Sequence, residues 1–127
     1  MSNIDIEERL KELKIEDFIW IIYIGIIALS FYSNYLERKY FIFNDIVSKN
    51  KYRNIIILIF SILLIIYSYF LKDAYDGLKK IKKSDSKKYI ILHFSSFIAS
   101  LLITISGVIF LIIAFFDEEL NVELAFN

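Results

Sequence analysis

The chain alternates long uncharged blocks with short charged stretches. Residues 18–36, 54–71 and 89–116 hold no Asp, Glu, Lys or Arg and run 19, 18 and 28 residues. A helix rises about 1.5 Å per residue, so about 20 residues cross the ~30 Å hydrocarbon core of a bilayer. Three spans are predicted, the second at the short end of the range. A soluble amphipathic helix carries a polar stripe, whereas "IIILIFSILLIIYSYFL" (residues 55–71) offers only serine and tyrosine. The predicted class is an all-α integral membrane protein, with three transmembrane helices in a small bundle and a short amphipathic N-terminal helix.

The blocks between the spans predict the remaining elements. Residues 1–17 read as the amphipathic helix: Ile6, Leu10 and Leu13 follow helical spacing, and Asp5 with Glu8 suggests a capping arrangement. Its polar face is acidic, which disfavours attachment to anionic lipid; docking on the connector of its own side, or capping the first span, is expected instead. Residues 37–53 form a basic connector around "YFIF", too broken by charge to be a span. Beyond the second span the helix is expected to continue past the bilayer through Leu78 and Ile81, with Asp76 and Lys80 paired at i,i+4. Gly77 weakens that extension by about 1 kcal/mol. "SDS" at 84–86 offers a turn and an N-cap for the third span. There is no proline and the three glycines are isolated, so continuous helices are expected rather than the broken ones that build many transporter sites.

Composition narrows the classes. Apolar residues make up 57% and the mean hydropathy is +0.56, high for a soluble domain. Fifteen basic residues balance fifteen acidic ones, so bulk electrostatics gives no nucleic-acid partner. With no cysteine there is no disulfide, thiolate metal site or cysteine nucleophile. Abundant Ile, Lys, Asn, Phe and Tyr suggest an AT-rich, bacterial genome. Ala28-Leu29-Ser30 resembles a signal-cleavage site, but the six acidic and three basic residues before the first span are unlike a positive n-region, so that span is expected to stay. Ten Lys and Arg lie on the side of the N-terminus and second connector, against five on the other. A cytoplasmic N-terminus, an outside C-terminus and a cell-membrane location follow from the preference of positive charge for the cytoplasm.

The third span carries the candidate chemistry. On a helical projection His93, Ser96, Ser100, Thr104, Gly107 and Ala114 fall within about 80°, with Phe94, Ile98, Leu101, Ile105, Val108 and Ile112 broadly opposite. Small residues let another backbone approach and bulky ones suit lipid, so Ser96, Ser100, Thr104 and Gly107 are read as a helix-packing seam rather than a pore lining. Twenty residues counted back from Phe116 end at Phe97, which leaves His93 about one turn outside the hydrocarbon and favours a solvated residue over a proton or metal site. Lys79, Lys80, Lys82, Lys83, Lys87 and Lys88 form a basic patch suited to anionic lipid or an acidic partner, or simply to fixing topology. In the acidic tail, Leu120, Val122, Leu124 and Phe126 alternate with mostly polar residues, a strand-like pattern that suits partner contact and competes with a frayed helix end.

No "HExxH", P-loop, dinucleotide fingerprint or "GxSxG" motif occurs. Neither catalysis, cofactor nor metal is therefore expected. The expected function is that of an accessory or interaction subunit associating through helix packing, with the bilayer and a second copy or another membrane protein as partners. The alternative is an oligomeric pore, an ion channel or a holin-like protein.

Overall fold

The structure is a computed structural model and describes residues 3–116. Three helices make up the fold: α1 (Asn3–Phe43), α2 (Ile46–Lys79) and α3 (Lys87–Phe116), with no strand among the described residues. Each contains a segment long and apolar enough to cross a membrane.

The N-terminal segment is not a separate short helix. Residues 3–17 are the first part of α1, which runs 41 residues without interruption, about 60 Å of rod. Nothing breaks the backbone at the 17/18 boundary, because Glu, Lys and Arg are good helix formers and neither Pro nor Gly stands before Gly25. Asp5 consequently sits inside the first turn rather than ahead of it. The expected connector contracts likewise: within 37–53 only Asn44 and Asp45 are not helical.

Those two residues make the reversal. Asn44 has φ 53°, in the left-handed region that Asn tolerates better than most side chains. Asp45 then caps α2. Its Oδ1 accepts from the backbone N–H of Val47 at 3.1 Å and of Ser48 at 3.5 Å, and its Oδ2 accepts the Ser48 hydroxyl at 2.9 Å. The Ser48 hydroxyl bond is the main cause that holds the Asp45 carboxyl below its ordinary pKa of 3.8.

The turn between α2 and α3 is closed by local bonds. Asp85 Oδ2 accepts from the Lys82 N–H at 2.7 Å, and Ser86 Oγ accepts from the Tyr89 N–H at 3.2 Å as the N-cap of α3. Helix α2 ends at Lys79, which puts Lys80 beyond it, and the expected Asp76–Lys80 ion pair is not formed.

Two compact units divide the chain after Ile55, the first holding α1 and the start of α2, the second the rest of α2 and α3. In the first, Ile19, Ile26, Ser33 and Leu36 are the buried positions of α1, the first three at a seven-residue spacing that keeps them on one face. Ser33 is 1% exposed and its hydroxyl has no hydrogen-bond partner among the described residues. Along α2 the buried positions Ser48, Tyr52, Ile56, Ile59, Leu63 and Ile66 step by four and three residues, with Phe60 buried beside them, a second heptad seam.

Candidate functional site

Polar residues in the long apolar helices are few, and the hydroxyls of Ser30, Ser61 and Thr104 bond to their own backbone. Ser30 Oγ donates to Ile26 O at 2.8 Å and Ser61 Oγ to Ile57 O at 2.7 Å, each one turn back. Thr104 behaves differently in one respect. Its hydroxyl lies 2.8 Å from Ser100 O and also 3.3 Å from Tyr67 O on α2. A single hydroxyl proton is thus offered to two carbonyls, the shorter within α3 and the longer across the helix pair.

That cross-contact belongs to a line of close approaches inside the second unit. The Phe60 and Phe110 rings stack at 5.6 Å with 9° between their planes. One turn along, a Cβ built on Gly107 would stand 3.2 Å from Tyr67 Cδ2 and 3.6 Å from Leu64 Cδ1. Farther on, Tyr75 meets Phe97 at 6.0 Å between ring centres. At the far end a Cβ on Gly77 would meet His93 Nδ1 at 3.2 Å. From the Phe60–Phe110 stack to the Gly77–His93 approach the contacts advance 17 residues along α2 and go back 17 along α3. The helices therefore run antiparallel in one constant register from Phe60 to Gly77, about 26 Å. The two glycines act reciprocally: Gly107 of α3 receives a ring of α2, and Gly77 of α2 receives a ring of α3.

On α3 the covered face comprises His93, Phe97, Ser100, Thr104, Gly107, Leu111 and Ala114, at alternating steps of four and three; Gly107 and Ala114 are buried and the others half-buried. Of the seam read from the sequence, Ser100, Thr104 and Gly107 lie on this face and Ser96 is exposed. Phe97, which a face defined by polarity leaves out, is on the covered side beside Tyr75. His93 is half-buried, its ring 4.3 Å from that of Tyr89. Among the described residues no cluster of three or more His, Asp or Glu side chains is placed to hold a metal ion.

An open groove of about 280 Å³ lies along the same helix pair, lined among others by Phe60, Tyr67, Leu102, Ser106 and Phe110. Its walls are mostly apolar, with Ser106 and Tyr67 the polar residues among those lining it. The basic patch is at the other end. Lys79, Lys80, Lys82, Lys83, Lys87 and Lys88 are all exposed, and Lys79 Nζ lies 4.6 Å from the centre of the Tyr75 ring. Leu120, Val122, Leu124 and Phe126 lie outside the described residues. Tyr67 and Gly77 are the residues of this face that sequence reasoning missed, since nothing on one helix marks which residue of another will oppose it. Comparison with models of known protein families, with curated proteins and with solved structures finds no match for this chain.

Proposed function

We propose that the chain is a non-catalytic multi-pass membrane protein that serves as an accessory or interaction subunit, in the cell membrane, with its N-terminus cytoplasmic and its C-terminus outside. The observation that carries the reading is the use of Thr104 and Gly107. The small, weakly polar stretch of α3 is spent on α2 of the same chain: its glycine is filled by Tyr67, and its threonine proton is held by Ser100 O and Tyr67 O. A hydroxyl bonded in that way is a poor lining for a water path and a good fastener for two helices. Outward, α3 presents Leu102, Ile105, Ile109 and Ile112, all exposed, bulky side chains suited to lipid or to a neighbouring helix. The site chemistry adds support, since a chain with one histidine and no cysteine is poorly equipped for nucleophilic or metal-assisted reactions.

The test is the mass and composition of the particle extracted in mild detergent. A second copy or another membrane protein is expected at fixed stoichiometry. A lone monomer with nothing bound overturns the subunit reading. Ion flux through the purified protein in liposomes, altered by a charge placed at Thr104, replaces it with the pore.

A further inference from the structure

The continuity of α1 leaves a surface that lipid does not reach. Ile6, Leu10 and Leu13 share one face of the helix and are 42%, 55% and 39% exposed. If Phe18 marks the edge of the hydrocarbon, Leu13 stands about 7 Å outside it, Leu10 about 12 Å and Ile6 about 18 Å. The headgroup layer adds only about 5–8 Å. A hinged amphipathic helix could lie down on the bilayer. An unbroken one projects from it, so Leu13 reaches the headgroups while Leu10 and Ile6 stand in water and call for cover by protein.

Charge indicates which protein. Residues 3–17 carry six acidic side chains against three basic. Arg9 is held within the helix by Glu12 at 3.1 Å and Glu16 at 3.7 Å. Residues 72–88 carry seven lysines against three aspartates. Lys79, Lys80, Lys82, Lys83, Lys87 and Lys88 are exposed and make no ion pair among the described residues. Beside them Tyr75 and Tyr89 expose rings, 47% and 43% accessible, on which apolar side chains can seat. On the membrane reading two crossings, α1 and α2, separate the N-terminal segment from this connector and return the chain to the same side. Each surface is open on the single chain, and each carries the charge the other lacks.

We propose that the acidic N-terminal third of α1 docks in trans on the lysine-rich α2–α3 turn of a second copy of this chain, with Ile6, Leu10 and Leu13 as its apolar contact. The proposal rests on the membrane reading above and names the partner and the surfaces. Opposite charges around an apolar centre set partner choice and register.

A charge-swap mixture tests it. One variant carries Glu7→Lys, Glu16→Lys and Asp17→Lys; the other carries Lys82→Glu, Lys83→Glu and Lys87→Glu. Differently tagged copies are co-purified in mild detergent, with helix content and tag sidedness checked for each. Each variant alone is expected to self-associate about tenfold more weakly than wild type. Mixing the two restores association, because the basic helix of one now meets the acidic turn of the other. Failure of the mixture to recover, with recovery only when both sets share one chain, overturns the trans contact in favour of an internal one. Self-association untouched by either set overturns it too, yet leaves the subunit reading in place, whereas a wild type that captures neither itself nor any other protein removes both. The intact protein gives an independent check: raising salt from about 0.05 M to about 0.5 M shortens the screening length several-fold and must weaken association. Association indifferent to salt overturns the proposal whatever the variants do.

Discussion

Gly107 lies so close to the Tyr67 ring that a Cβ there would be 3.2 Å from Cδ2. The contact falls on the body of the ring, near its attachment, where little can swing away, and Leu64 closes the other side at 3.6 Å. Alanine gains about 1 kcal/mol of helix propensity over glycine and gives back a comparable amount by pushing the ring. Gly107→Ala is therefore expected to be near neutral, while Gly107→Leu, with no room in the same place, costs about 2–3 kcal/mol. Thermal unfolding in detergent, with a cross-link between Cys introduced at 60 and 110 as a reporter of register, checks both. A leucine variant as stable as wild type would refute the close approach.

Gly77 gives the contrasting case. Its neighbour is the imidazole of a half-buried His93 near the chain turn, the far end of a side chain rather than backbone, so a small displacement can relieve the contact. Gly77→Ala should raise stability by up to about 1 kcal/mol, the propensity gain outweighing a small displacement. The imidazole NMR shifts of His93 should move in the variant. Lost stability would mean that His93 is held more tightly than its exposure implies.

The Asp45 cap confers a pH dependence whose sign is fixed. The folded-state pKa is lowered from 3.8, chiefly by the Ser48 hydroxyl. The ionised cap therefore stabilises the fold above pH 3.8, and that contribution is lost as pH falls from 3.8 through the lowered folded value. Asp45→Asn keeps a hydrogen-bonding oxygen and should flatten this acid limb of the melting profile, and Ser48→Ala should shift it toward higher pH. An unchanged acid limb in Asp45→Asn would show that the cap does not contribute.

Because α1 has no joint, a fluorophore attached at residue 10 should respond to quenchers in water and not to quenchers buried in acyl chains. The reverse is expected at residue 24. Depth-dependent quenching in vesicles distinguishes the two directly. Strong acyl-chain quenching at residue 10 would place the segment along the membrane and remove the need for a protein cover.

The three long apolar helices were legible because charge is costly in hydrocarbon, so 18–36, 54–71 and 89–116 stand out without any structural knowledge. The same signal misleads at helix ends. Charge decides the medium, not the backbone, and Glu7, Lys11, Arg38 and Lys39 continue α1 on both sides of its apolar stretch. The α1–α2 reversal contains neither Gly nor Pro, and only the tolerance of Asn44 for positive φ and the capping habit of Asp45 could have marked it. On α3, polarity selected Ser100, Thr104 and Gly107 and also Ser96, which is exposed. The alternating four-and-three spacing from His93 to Ala114 separates them, and it favours Phe97. Tyr67 and Gly77 stayed hidden for a different reason. Helix pairing register is a long-range property, set by which rings and gaps meet after both helices have formed.

An α1 that is stiff from Asn3 to Phe43 has a mechanical consequence. On the proposed membrane reading, a lever held near its middle by a fluid sheet carries displacement from one aqueous compartment to the other with its direction inverted. Whatever pushes the helix sideways at Asn44 swings the acidic tip the opposite way, without any bond in between having to change.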